Sequence, residues 1–348
     1  SGLSDLAPVA RLAEDAVPWL KPEAVLAILS QVPPGFTRAL SRQRGARGDR
    51  LLAEERLFCQ VETLIIGRAV ERALAPERLM VGCADPARPL PPGYRAFLES
   101  FHCPILAMRY ESAELAKIAV NCFLAAAVTT TNTLAELCER TGADWAEIAP
   151  ALRLDARIGP SAYLTPGLGL AGGNLERDLA TVRRLAGEHG SDAGIVEAWL
   201  RASAHRRDWV VRTLHDEVLA RRSEPTIALL GLAYKENTES TRNSPALALL
   251  DAFPGVRFRA YDPAVPASVA AHARTEQARD MWDACRGADA VVLMTPWPAF
   301  RELSPRELAR TLAGRIVVDP LSVLDGALCQ AVGLHYFTLG DGPRRAAA

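Results

Sequence analysis

The sequence predicts an α/β protein with two doubly wound domains, the first incomplete, joined by a long central helix and a helical middle region. Short apolar runs alternate with helical stretches between residues 24 and 109. A single helical periodicity then runs from Ser112 to Gly142. After the polar break Arg221-Arg-Ser-Glu-Pro225, apolar runs and helical stretches begin afresh at Thr226. Residues 1–110, 111–220 and 221–343 are the expected domains, and 344–348 a disordered tail.

In the first domain, Ala24-Val-Leu-Ala-Ile-Leu-Ser30 is an apolar run stopped by Gln31-Val-Pro-Pro-Gly35, as expected of a buried strand and a turn. Leu79-Met-Val-Gly82 and Pro104-Ile-Leu-Ala-Met-Arg109 are further strands, with a helical stretch from Gly67 to Leu74 between the first and these. Apolar strands separated by helices predict a parallel sheet covered on both faces. The charged stretch Leu40 to Glu55 is expected to be a solvated loop or helix face.

On the central helix, Leu115, Ile118, Ala119, Cys122 and Phe123 recur at three- and four-residue steps, and Gly142 stands where a helix-ending C′ residue belongs. Asp144 suits the N-cap of the next helix. Glu114, Lys117 and Asn121 share one face. Their plain reading is a solvated face with an i,i+3 ion pair; an ammonium and an amide one turn apart also suit the lining of a site. A further helix is expected over about Ala193 to Leu219. Thr226-Ile-Ala-Leu-Leu-Gly231, Arg257-Phe-Arg-Ala-Tyr261, Ala288 to Met294 and Arg315 to Asp319 are the parallel strands of the second doubly wound domain.

The net charge of −1 offers no electrostatic case for nucleic acid or an acidic membrane. No uninterrupted apolar run reaches the ~18 residues of a spanning segment and no signal peptide opens the chain, so a cytoplasmic location is expected. The seven cysteines are scattered without a C-x-x-C pair, and the six histidines are dispersed. Reduced thiols and no metal site follow.

Glycine is densest at Gly167, Gly169, Gly172 and Gly173, with Arg157 ahead and Asn174, Glu176, Arg177 and Asp178 behind. Such a run, ending where a helix opens, suits a ligand-cradling loop. It matches G-x-G-x-x-G, but the proline-ended Tyr163-Leu-Thr-Pro166 is no strand, so it is not expected to be a dinucleotide turn.

These segments together resemble the UDP-glucose/GDP-mannose dehydrogenase family. The resemblance rests on Gly231-Leu-Ala-Tyr-Lys235 with Thr238-Glu-Ser-Thr-Arg242-Asn-Ser-Pro245, and on Tyr261-Asp-Pro263 and Thr295-Pro-Trp-Pro-Ala-Phe300. It also rests on Glu111-Ser-Ala-Glu-Leu-Ala-Lys117-Ile-Ala-Val-Asn121 and Ser30-Gln-Val-Pro-Pro-Gly35. It covers nearly the whole chain and implies an N-terminal Rossmann domain for NAD, a central helix that forms a homodimer, and a C-terminal Rossmann-like domain for a UDP-sugar or related nucleotide sugar. The implied reaction is NAD-dependent oxidation of a sugar C6 hydroxyl. Lys117, Asn121, Asp178 and Glu62 match catalytic positions. Arg157, Gly169, Gly172, Gly173, Lys235 and Arg242 match substrate positions, Arg157 reaching the neighbouring subunit's nucleotide, and Gln31 and Arg177 match cofactor positions.

The departures are specific. The family loop P-G-x-G-Y/F-G-G-S-C-F-P-K-D becomes Pro166-Gly-Leu-Gly-Leu-Ala-Gly-Gly-Asn174-Leu-Glu-Arg-Asp178, with Asn174 at the nucleophilic cysteine's position. Gln31 replaces a threonine, Ile66 a glutamate, and Asp319-Pro320-Leu321 replaces D-G-R. The opening strand, its glycine fingerprint and the acidic ribose ligand are absent, as expected of a fragment of a longer protein. A dehydrogenase stopping at the aldehyde is one expectation, and a non-catalytic nucleotide-sugar-binding scaffold is another. A 6-phosphogluconate- or hydroxyacid-type dehydrogenase is disfavoured by the second domain from Thr226.

Overall fold

A computed structural model describes residues 5–43, 52–62, 64, 68–170 and 173–342. Ile66, Gly67, Gly172, much of the charged stretch (44–51) and the tail 344–348 lie outside the described residues. The chain divides into two compact units, Ser1–Phe123 with Arg177–Ser191 and Leu124–Glu176 with Asp192–Ala348.

Unit one contains α1 (Ala7–Ala16), β1 (Leu26–Ile28), α2 (Phe36–Arg42), β2 (Leu57–Val61), α3 (Ala69–Leu74), β3 (Leu79–Cys83), α4 (Pro92–Glu99) and β4 (Ile105–Arg109). The helix α5 (Tyr110–Thr141) follows β4 without a loop. The sheet has the order β1-β2-β3-β4. Alternation along the strands sends neighbours to opposite faces: Leu57 joins Ile28, Leu40 and Ala13 on one side, and Phe58 joins Leu79, Val81 and Leu98 on the other.

Two expectations need correcting here. The sheet is mixed, because β2 and β3 run antiparallel while β1–β2 and β3–β4 are parallel. Both β2 and β3 are buried along their whole length, so their composition carries no mark of direction. The charged stretch is not wholly solvated either: within α2, Leu40 and Ser41 are buried.

Unit two continues α5 into α6 (Trp145–Leu154) and includes the first residues of α7 (Asn174–His189), whose body belongs to unit one. Then come α8 (Gly194–Arg207) and α9 (Trp209–Leu214), so the single helix expected to Leu219 breaks at Asp208 and ends in a π turn. Gly142 (φ +79°) follows α5 in the left-handed conformation, and the Asp144 carboxylate caps α6 by accepting from Ala146 N at 2.7 Å. Arg206 of α8 is 1% exposed and donates to Glu139 of α5 at 2.5 Å; that carboxylate also accepts from Trp209 Nε1 and Gly340 N.

The remainder is β5 (Thr226–Leu230), α10 (Pro245–Ala252), β6 (Arg257–Tyr261), β7 (Thr275–Gln277), α11 (Met281–Cys285), β8 (Ala290–Leu293), α12 (Pro305–Thr311), β9 (Ile316–Val318), α13 (Gly326–Ala331) and β10 (His335–Phe337). Its sheet is parallel throughout, in the order β10-β9-β8-β5-β6-β7. The chain moves outward from β5 in one direction and resumes at β8 in the other. The strand order therefore reverses between β5 and β8, where open α/β sheets bind ligands beyond their carboxyl ends. Ser244 caps α10 by accepting from Ala246 N, while its hydroxyl donates to Leu232 O at 2.7 Å. Replacing Ser244 with alanine is expected to cost about 1–2 kcal/mol in urea denaturation of the full chain.

Candidate active site

In unit one, three elements bring the sequence-predicted residues together. Lys117 and Asn121 stand one turn apart on α5, Arg177 and Asp178 lie on α7, and Gln31 begins the turn after β1. Asp178 is 2% exposed. Its Oδ2 accepts from Asn121 Nδ2, and its Oδ1 accepts from Gln31 Nε2 at 2.6 Å and Arg177 Nε at 3.2 Å. Arg177 also donates to Gln31 Oε1 at 2.5 Å, so the amide is held at both ends. Burial pulls the Lys117 ammonium below its usual range, while the Asp178 charge works in the opposite direction.

A cavity of about 380 Å³ opens beside Gln31, Pro33, Arg177, Asp178 and Thr181. A smaller one is lined by Gln31, Glu62, Cys59 and Lys117. Glu62 follows β2 directly and accepts from Gln60 Nε2 at 3.2 Å. Burial pushes the Cys59 thiol up to about 12 and raises that of Cys122. Neither is a ready thiolate nucleophile.

The plain reading of the α5 face is overturned. Glu114 is 2% exposed and makes no ion pair with Lys117. Its carboxylate accepts from Gly35 N at 2.6 Å and Thr37 N at 2.8 Å, fastening the start of α2 to α5. Spacing along a helix shows which residues share a face; it does not show what covers that face.

In unit two, the glycine loop is fixed by side chains of three helices. Thr131 of α5 donates to Tyr163 O at 2.9 Å, Asn132 accepts from Gly167 N at 2.8 Å, and Trp145 Nε1 of α6 donates to Leu164 O at 2.7 Å. Ser203 Oγ of α8 accepts from Leu170 N at 2.8 Å. Gly169 has φ +78°, and a Cβ there would lie 2.6 Å from Ser203 O, so its lack of a side chain serves the packing on α8. These anchors escape sequence reasoning, because Thr131, Asn132 and Ser203 sit at unremarkable helical positions and become partners only in the fold. The run follows no strand.

Gly173 also has positive φ, and its missing Cβ would sit 3.4 Å from Arg242 Nε. Asn174 opens α7, one turn before Asp178. Lys235 lies in the loop after β5, at the strand-order reversal, with its ammonium 5.7 Å from the centre of the Tyr234 ring. Asp262 shapes that loop by accepting from Leu232 N, Ala233 N and Trp297 Nε1. Arg157 pairs with Asp155 at 2.7 Å on a side chain that is 89% exposed; within this chain it touches none of the other predicted residues in these bonds. Asp319, which keeps the aspartate of the D-G-R position, is fully buried and accepts from Leu324 N and Tyr336 Oη.

The described residues fit a dinucleotide only in part. Gln31, Glu62 and Arg177 offer polar groups for its reacting end. A pyrophosphate needs unused N–H groups at a helix start after a strand. The turn that opens α2 after β1 donates its Gly35 and Thr37 N–H groups to Glu114 and has none of these to spare. No step is therefore assigned to the pyrophosphate end.

Two Rossmann-like sheets, one with a strand-order reversal bordered by a lysine-bearing loop, define a two-sheet α/β protein of the Rossmann-like class. Residues 111–204 match the central domain of the UDP-glucose/GDP-mannose dehydrogenase family, and residues 228–326 match its UDP binding domain. A UDP-glucose 6-dehydrogenase of Pseudomonas aeruginosa is 30% identical across 97% of this chain and 77% of its own length. The UDP-glucose 6-dehydrogenase TuaD of Bacillus subtilis is 32% identical across 70% of this chain and 53% of its own length. A UDP-glucose dehydrogenase structure from Pyrobaculum islandicum superposes with a TM-score of 0.77 at 26% identity, covering 99% of this chain and 77% of that one. The chain belongs to the UDP-glucose/GDP-mannose dehydrogenase family.

Proposed function

We propose that this protein is a nucleotide-sugar dehydrogenase homologue that binds a UDP-sugar and carries oxidation of the sugar C6 alcohol only as far as the aldehyde. NAD, when bound, supplies the hydride acceptor. Lys117 stabilises charge developing on the C6 oxygen, and Asn121 and Asp178 hold the polar surroundings of that ammonium. Lys235 and Arg242 suit the diphosphate, as cations do. Two copies joined through α5, with Arg157 reaching the partner's nucleotide, complete the proposed assembly. The domains 1–110, 111–220 and 221–343 take the cofactor, dimerising and nucleotide-sugar roles.

The observation that carries this reading is the Asn121–Asp178–Gln31–Arg177 network built on the buried Asp178 beside Lys117, with an amide at position 174. An amide forms no thiohemiacetal or thioester, so the second oxidation has no acyl carrier. A binding-only scaffold is the second reading, favoured because both Asp178 oxygens already have protein partners.

The test incubates the full chain with NAD and a panel of UDP- and GDP-sugars, following NADH and the product. The wild-type protein is expected to yield aldehyde and Asn174→Cys to yield acid. Tight UDP-sugar binding without NADH from any variant overturns the catalytic reading in favour of the scaffold.

A further inference from the structure

We infer that Glu176 is a positioning residue that fastens both sides of the glycine loop and the substrate-side arginine Arg242 to one another. The inference rests on the proposed function for the loop's role, though not for the contact itself. The family loop carries proline at this position, so the carboxylate is a departure of this chain.

Glu176 lies in the first turn of α7, two residues after Asn174. Its Oε1 accepts from Arg207 of α8 at 2.8 Å, and its Oε2 accepts from Asn243 Nδ2 at 2.8 Å. The same Arg207 nitrogen donates to Leu170 O at 3.0 Å, so one guanidinium joins the chain before the loop's end to the helix after it. Asn243 is the other half of the clamp. It holds a left-handed conformation (φ +54°) between Arg242 and the cap residue Ser244. Asparagine tolerates that region better than other non-glycine residues, and a side-chain bond can restrain it there. The bond from its side chain to Glu176 is such a restraint, and it sets the backbone on which Arg242 lies against Gly173. The Glu176 and Arg207 side chains are 28% and 32% exposed, shielded enough for a charge-assisted bond to hold.

The test compares wild type, Glu176→Ala and Glu176→Gln in the full chain by three readouts. These are chymotryptic cleavage after Leu175 mapped by mass spectrometry, the Kd for UDP-glucose, and Tm. Losing two charge-assisted bonds predicts about tenfold faster cleavage and about tenfold weaker UDP-glucose binding in Glu176→Ala, with Tm little changed. Glu176→Gln keeps one acceptor oxygen of the two and loses the charge, so it is expected to fall between wild type and Glu176→Ala in both readouts. Unchanged cleavage in Glu176→Ala overturns the inference. If wild type binds no UDP-glucose, the functional reading falls and cleavage alone decides the clamp.

Discussion

Replacing Asp178 with alanine is expected to lower NADH formation by about 100-fold or more and to destabilise unit one. The carboxylate is 2% exposed and is the shared acceptor for Asn121, Gln31 and Arg177. Its removal leaves the buried Asn121 amide, the half-buried Gln31 amide and a guanidinium without that acceptor, at about 2–5 kcal/mol. Asp178→Asn separates structure from chemistry, because it keeps the shape and removes the charge. That charge raises the Lys117 pKa against the burial that lowers it. Without it the pKa falls further, so the ammonium is lost at a lower pH and the alkaline limb of the pH–rate profile moves to lower pH. A profile in Asp178→Asn superimposable on wild type, with alanine equally active, would remove this network from the proposed site.

Gly231→Ala is expected to cost about 3–5 kcal/mol and to abolish UDP-glucose binding. Gly231 follows β5 directly with φ +95°, and a Cβ there would lie 2.6 Å from the backbone nitrogen of Thr295, which is fully buried. Side chain and backbone conflict at the point where strand order reverses, so the Lys235 loop must move. Gly255→Ala is the control: it has no positive φ and nothing within 4 Å of the added methyl, so a change within about 0.5 kcal/mol is expected. Urea denaturation and calorimetry with UDP-glucose check both. Equal stability of the two variants would refute the steric argument.

Part of the candidate site's scaffold was legible from local pattern, while the roles of its residues came only from the family resemblance. Lys117 and Asn121 lie on one helix, and the caps Gly142 and Asp144 mark where it ends and the next begins. Gly231 follows a continuous apolar run, and that run is a fully buried strand from Ile227 to Leu230. Other features were hidden for identifiable reasons. β2 was missed because its polar Gln60 interrupts a five-residue strand, and only the fold gives Gln60 its partner in Tyr94. The Glu114 clamp spans 77 and 79 residues of sequence, and the Arg206–Glu139 pair spans 67. No periodicity records contacts of that range.

By itself, the sequence determined the class of domain, the C-terminal end of the central helix and the amide at position 174. These follow from spacing, turn chemistry and side-chain identity, which are local properties of the chain; the grouping of residues around Asp178 came from the family resemblance and not from local pattern. The tertiary structure alone decided that β3 runs against β2, that Glu114 serves two backbone N–H groups, and that Gly169 is small for the sake of Ser203. Strand direction, the partner of a buried carboxylate and the closeness of two backbones depend on which distant segments meet. Burial makes those meetings costly to leave unsatisfied, and only the folded chain shows how each was satisfied.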